Sequence, residues 1–342
     1  MKKKQTIVYG LLAVILALTF TTCIDDDEVV GDLQKWTAVE DSTFGSSEIN
    51  SIAYGNGKFV AVSSSEIAYS SDGESWTAVT DSPFNNPIIA IAYGKNRFVV
   101  GGYNREMAYS EDGENWTEVL NSTFTDSRIY GIAYGNNRFV AVGRGRMSYS
   151  SDGESWTAVS DSTFGTSDLD SIMDIAYGNG KFVAVGSSNS SYGPSGTTTY
   201  KMAYSADGAN WTAVPDSTFN YASSAIAYGG GRFVAGGSMG KMAYSSNGVT
   251  WTAVADSTVW EYEYTNNDNT FTDTVSIITI AYGNNRFVAG GSFGKIAYSA
   301  DGVNWTVVED STFGNNYITG IAYGNGKFVA VGQNGKMAYC DW

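Results

Sequence analysis

"YSSDGESWTAV", residues 69–79, decides the fold because it returns along the chain. Near-copies place Asp112, Asp152, Asp207 and Asp301 where this stretch has Asp72, and one copy has Asn247 instead. Its tryptophan, Trp76, recurs as Trp116, Trp156, Trp211, Trp251 and Trp305, and an isolated "WTAV" begins at Trp36. Successive tryptophans stand 40 residues apart, except for two gaps of 55 and 54. A period of this size means a solenoid, a propeller or an array, built from units that cannot bury their apolar faces alone.

Outward from the quoted turn, every repeat has the same parts. "IAYG" comes first, as at Ile52–Gly55, then a two-residue turn such as Asn56-Gly57, Asn136-Asn137 or Gly230-Gly231. Those residues tolerate the positive φ that tight hairpins need. "KFVAVG" or a close variant follows, then a loop, "KMAYS", the quoted turn and "WTAV". Aromatic and β-branched residues dominate these runs, which favours strands. The reading is four short strands, A to D, in an up-and-down meander. "FVAV" is apolar at both alternating sets of positions, so both faces of each sheet must be covered. Stacking the sheets around an axis covers them, and abundant Ala and Gly permit close approach. The expected fold is all-β: a seven-bladed β-propeller of four-stranded antiparallel blades over residues 36–342. "IAYG" occurs seven times, starting at Ile52, Ile91, Ile132, Ile175, Ile226, Ile280 and Ile321. The order is offset, since the first element is a D strand at Trp36–Val39 and the last repeat stops after strand C. The amino-terminal strand should therefore complete the carboxy-terminal blade and remove an exposed edge. A linear β-solenoid, the alternative, would not need this offset.

Asp72 and its counterparts could be chemical groups, metal ligands or parts of a turn. Asp accepts hydrogen bonds from nearby backbone N–H groups, Gly supplies an unusual φ, and Trp covers the sheet. Repetition around a ring, and the uncharged Asn247, favour a turn over calcium binding. The motif resembles the Asp-box, or BNR, repeat of sialidases, sortilin-type receptors and photosystem II assembly-factor propellers. The usual form is S-x-D-x-G-x-T-W, and here the residue between Asp and Gly is missing in every copy. The resemblance covers residues 36–342. It implies a propeller in which the box is a structural C–D turn, and it says little about function.

Composition narrows the function. The chain has no histidine, which removes His–Ser and His–Cys nucleophilic sites and the usual zinc ligand sets. Two cysteines, Cys23 and Cys340, give no disulfide framework. Cys340 stands where the box has serine, in a final copy truncated to "YCDW". The net charge of −15 lacks the basic footprint that nucleic-acid binding needs. No cofactor or metal is expected, and the chain is expected to be a monomer.

The amino terminus reads as an export signal. Basic "MKKKQT" precedes a 14-residue apolar run, Ile7–Phe20, which is short for a membrane span. The run ends at "LTFTTC", which resembles a bacterial lipoprotein signal over residues 1–22 with Cys23 as the lipidated first residue. An ordinary cleaved signal with an incidental cysteine is the alternative. Cleavage would remove Lys2, Lys3 and Lys4 and take the net charge to about −18. Residues 23–35 read as an acidic tether. The expected location is the bacterial cell envelope, lipid-anchored at the outer membrane or cell surface. The tether's 12 residues after the cysteine reach at most about 40 Å, which turns the Asp-box face toward the membrane.

What one blade has alone needs another account than folding. The meander puts A–B and C–D turns on one face, and D–A and B–C loops on the other. Two insertions fall on the latter: Ser187–Tyr200 in the fourth blade's B–C loop, and Val259–Thr274 in the D–A loop entering the sixth. Loops carry function on rigid scaffolds, so Trp260, Tyr262, Tyr264, Phe271, Tyr192 and Tyr200 are candidate ligand-binding groups. The bland reading is that they pack the loops on themselves. Arg105, Arg128 and Arg144 do not sit at repeated basic positions and map to this same face, as an anion site or as solvated charge. The expected function is a binding platform for a protein or glycan, not an enzyme. Two alternatives remain: an assembly or chaperone-like factor, and a sialidase-like glycoside hydrolase. Against the last, the sialidase F/Y-R-I-P motif is absent, its nearest form being Arg128-Ile129-Tyr130, and those enzymes have six blades. Glu261 and Glu263 flank Tyr262, but two carboxylates in one loop are weak evidence for glycoside chemistry.

Overall fold

Every repeat folds as the meander its pattern implies. In the first, strand A is Ile49–Gly55, B is Lys58–Ser63, C is Ile67–Ser70 and D is Thr77–Ala78. The computed structural model describes residues 35–342 except 65, 125–126, 166–169, 190–197, 219–221 and 267–268. The expected signal segment, Cys23, nearly all of the tether and Tyr192 lie outside the described residues, as do the side chains of Tyr200 and Tyr264.

Seven four-stranded antiparallel sheets form the ring. Six are continuous in sequence. The seventh pairs Thr37–Ala38 with strand C at Met337–Asp341, matching Thr37 to Tyr339 and Ala38 to Ala338. The first blade pairs Thr77 with Tyr69 and Ala78 with Ala68 in the same way. The offset in the repeat is thus the closure of the ring.

The core lies between blades. Phe98, Val99 and Val100 on one strand B are all fully buried. Phe98 and Val100 pack toward the first blade with Val60 and Val62, while Val99 packs toward the third with Phe139 and Ala141. Both faces of one strand are therefore core, and each large apolar side chain so buried contributes about 1.5–3 kcal/mol. "IAYG" ends in glycine for a steric reason. A Cβ on Gly55 would stand inside the ring of Tyr93 in the next blade, and the relation continues round to Gly324 beneath Tyr54.

The quoted turn is a fastener. Ser70 Oγ accepts from the Gly73 N–H at 2.8 Å and donates to Asp72 Oδ1 at 2.9 Å. Asp72 Oδ1 also accepts the N–H groups of Glu74 and Ser75, both at 2.8 Å. Asn247 Oδ1 takes the same two bonds in the fifth blade, at 2.8 and 2.9 Å. Gly73 has φ +78°, and a Cβ there would come within 2.7 Å of Val329 in the preceding blade. Trp76 is buried, and its indole N–H donates to Gly73 O at 3.3 Å. Partial burial pulls the carboxyls of Asp72, Asp112, Asp152 and Asp301 upward. The hydrogen bonds donated into them outweigh it, so each lies below the usual range, Asp301 at about 2. In Asp207 the N–H of Asn210 is the largest influence and lowers the carboxyl directly.

Candidate functional site

Polar groups tie neighbouring blades at both ends of the ring, and the two faces differ in how well the repeats agree. On the A–B and C–D side, turns of neighbouring blades bond to one another. Asn56 Nδ2 donates to Glu111 O at 3.3 Å, Lys95 Nζ to Ser151 O at 2.9 Å and Asn179 Nδ2 to Ser246 O at 3.1 Å. Lys58 pairs with Glu114 and Lys327 with Glu74 across the same joints. This face is spent on holding blades together. The repeats disagree on the opposite face.

There the second insertion forms a β-hairpin, Glu261–Asn266 with Asn269–Thr274, outside the blade sheets. Trp260 stands at its foot and is a correction to expectation: it is 1% exposed and cannot meet a ligand. Its indole N–H points at Met242 Sδ, 3.3 Å away. Phe44, Phe124 and Phe164 fill the same kind of place beside Met337, Met107 and Met147. The repeated "DSTF" reads "DSTVW" here, so Trp260 replaces a core phenylalanine. That substitution within a repeat was the available signal.

Tyr262 and Phe271 do reach the surface, Tyr262 half-buried and Phe271 46% exposed. Tyr262 stacks on Phe293, with ring centroids 4.7 Å apart and planes within 5°. Phe293 meets Tyr317 edge-on at 6.2 Å, and Tyr317 is 39% exposed. A cleft of about 250 Å³ lies beside the stack, with Lys295, Glu309 and Asp310 on its border. Phe293 sits at φ +56° in a two-residue B–C turn, and Met239 at φ +58° holds the same place in the fifth blade. The second and seventh blades use Asn104 and Asn334 there. Left-handed backbone at a bulky residue costs on the order of 1 kcal/mol or more, which marks these turns as departures from the cheapest sequence. Phe293 and Tyr317 were missed because neither lies in an insertion.

The three arginines come to one corner. Arg105 N–H donates to Ser127 O at 3.0 Å, Arg144 N–H to Arg128 O at 3.0 Å, and Ser127 Oγ to Arg144 O at 2.5 Å. The Arg128 guanidinium lies over the Tyr103 ring, 4.1 Å from its centroid. Arg105 is exposed at φ +64°, where the fifth to seventh blades have Gly240, Gly294 and Gly335. Among the described residues no cluster of three acidic or thiol side chains could hold a metal.

An axial cavity of about 390 Å³ lies at the same end of the ring and touches all seven blades. Each strand A has a register shift here, such as Ile49/Ser51 and Ile172/Asp174. Asp174 is the one carboxylate among the described lining residues. Burial pushes it up to about 7, against two backbone hydrogen bonds that act to lower it. Its partial opening faces the cavity. Other blades carry Ser51, Ala90, Gly131, Ala225, Thr279 or Gly320 before the same isoleucine. Comparison of that column alone would have singled it out.

Fold and site together define a seven-bladed propeller with one structural face and one variable face. The chain belongs to the DUF6242 β-propeller domain family, which matches residues 88–313. A comparison with curated proteins finds no match. YCF48 bound to a D1 peptide is similar in structure, with TM-score 0.65 and 16% identity over 90% of this chain and 97% of that one. YCF48 from Cyanidioschyzon merolae gives 0.64 and 17% over 90% and 98%. A catalytically inactive virginiamycin B lyase from Staphylococcus aureus with quinupristin gives 0.67 and 11% over 90% and 99%. At these identities the likeness is one of fold.

Proposed function

We propose that this chain is a lipid-anchored envelope protein whose propeller binds a protein or glycan through its D–A and B–C loop face. The observation that carries the reading is the aromatic corner of Tyr262, Phe293 and Tyr317 beside a cleft with mixed charge, with Phe271 farther along the same hairpin. Exposed rings supply contact area at small entropic cost, and their faces stack on sugars or on other side chains. A peptide-bound structural neighbour supports a polypeptide ligand, and the arginine corner would receive an acidic segment of it. Lipidation at Cys23 would place the fastened face toward the membrane and leave the aromatic corner free. No enzymatic activity is proposed.

The test is a glycan array and an envelope-protein pull-down with the purified propeller, comparing the intact hairpin with a shortened one. The cut belongs at Glu261–Thr274. Trp260 O accepts the Val275 N–H at 2.7 Å, so a short glycine linker can join the two ends without disturbing the Trp260 plug. Binding lost with the hairpin, in a protein that still melts cooperatively, supports the platform. Binding that survives the cut and also survives Phe293→Ala and Tyr317→Ala refutes it. Turnover of a fluorogenic sialoside would replace it with the hydrolase reading.

A further inference from the structure

The axial cavity has a chemistry of its own. Its wall mixes isoleucines, among them Ile52, Ile91, Ile226, Ile280 and Ile321, with short polar side chains. Three of its polar side chains are engaged as ties between blades. Asn50 Nδ2 donates to Ile88 O at 2.6 Å, Ser224 Oγ donates to Ile277 O at 2.7 Å, and Thr319 Oγ1 donates to Ile49 O. Asp174 ties blades too, but as an acceptor. Oδ1 accepts the Ile175 N–H and Oδ2 the Ile226 N–H, both at 2.8 Å. An ionised carboxylate has about four acceptor sites, so two remain for a donor arriving through the cavity. A carboxylate set among apolar side chains is costly unless a counter-charge joins it. No cationic side chain is among the described residues that line the cavity. The neighbouring blade packs closely at Gly131, where a Cβ would stand 3.2 Å from Asp174 Cα and 3.4 Å from its Oδ1.

We propose that this cavity binds a primary alkylammonium group, carried by a lysine side chain of a bound polypeptide or by a free amine. The apolar stem lies against the isoleucine ring, and the nitrogen donates to Asp174. A single positive head on an aliphatic stem matches one carboxylate beside a set of isoleucines. A neutral chain would leave the carboxylate without a counter-charge, and an anion would meet like charge. The strongly acidic chain also favours entry of cations. The site stands independently of the aromatic corner.

Binding must depend on pH in a set direction. Asp174 faces Met173 on its own strand, Tyr130 and Gly131 on the third blade, and Ser224 and Ile226 on the fifth. Tyr130 is the only other titratable side chain among the described lining residues. With the carboxyl raised to about 7, the ionised form is scarce at pH 6 and dominant at pH 8. Apparent affinity scales with the competent fraction, so ammonium binding should strengthen about tenfold between those values. At pH 6 each bound ligand should also release close to one proton.

The experiment is calorimetry of the purified protein with n-butylammonium, N-acetyl-lysine methylamide and butan-1-ol, at pH 6 and 8. Isoleucine methyl NMR locates the site. The expected result is that n-butylammonium binds at least tenfold more tightly than butan-1-ol, gains about tenfold at pH 8, and shifts the methyls of Ile52, Ile226 and Ile280. Lysine-amide binding at least as tight points to a polypeptide source, and n-butylammonium binding alone points to a free amine. Equal binding of the alcohol, no binding at millimolar ligand, or methyl shifts away from the cavity overturns the proposal. Asp174→Asn should reduce ammonium affinity to that of the alcohol. If that variant fails to fold, the wild-type comparison of amine with alcohol still decides.

Discussion

Trp260 and Phe271 sit eleven positions apart in one insertion and do opposite work. Trp260 plugs the blade interface against Met242 and is buried, whereas Phe271 is 46% exposed. Trp260→Ala should cost about 3–5 kcal/mol in denaturant unfolding, the range for a large aromatic removed from a core. Phe271→Ala should stay within about 0.5 kcal/mol, as exposed positions do. Similar costs for both would mean that Trp260 is not core. The residue scale also explains the motif. Asp72→Ala removes an acceptor of two backbone N–H groups and should cost about 1–2 kcal/mol. Asp72→Asn should cost clearly less in the same unfolding measurement, because Asn247 makes the same bonds in the fifth blade. Asp72 was legible as a turn residue because the chain holds its own comparison set. Trp260 was misjudged because an aromatic in an insertion looks the same in sequence whether it points in or out.

At the scale of elements, strands and turns were readable and surface chemistry was only partly so. "FVAV" forces a strand covered on both faces, and Asn-Gly forces a hairpin, because each residue carries its own backbone preference. The place of an insertion on a face follows from the meander. Which of its side chains stay exposed depends on neighbouring blades. Phe293 and Tyr317 come from a B–C turn and a D–A segment of ordinary length, yet they complete the aromatic corner with Tyr262. The hairpin should be separable from the scaffold. Shortening Glu261–Thr274 to a glycine linker should leave the melting temperature within a few degrees, as scanning calorimetry would show. A drop of 15 °C or more would mean that the hairpin holds the ring together.

The whole molecule has two structural dependences. The first is closure. Thr37–Ala38 complete the last blade, and Trp36 is buried against Phe313 and Phe328. Deleting Trp36–Val39 exposes an unpaired edge and a core, and should produce either a cooperative loss of stability or association of chains, read by light scattering. The second is pH. The box carboxyls lie below their ordinary value, so the stability they give is present above about pH 4 and is lost as pH falls through the folded values, near 2 for Asp301. Asp174 acts in the opposite sense. Its stabilising proton is fully held below about pH 4 and lost as pH rises through about 7. The melting temperature should therefore be highest at about pH 4 and fall between about pH 4 and 7, and Asp174→Asn should flatten that fall.

The proposed function rests on the division between a face where the repeats agree and one where they do not. It is tested most directly by finding a ligand with the purified propeller and measuring its affinity for Tyr262→Ala, Phe293→Ala and Glu74→Ala variants by calorimetry. The expected result is at least a tenfold loss for the two aromatic variants and no change for Glu74→Ala on the fastened face. Full affinity in both aromatic variants, with loss in Glu74→Ala, would contradict it and move the binding surface to the face that carries the repeated turns.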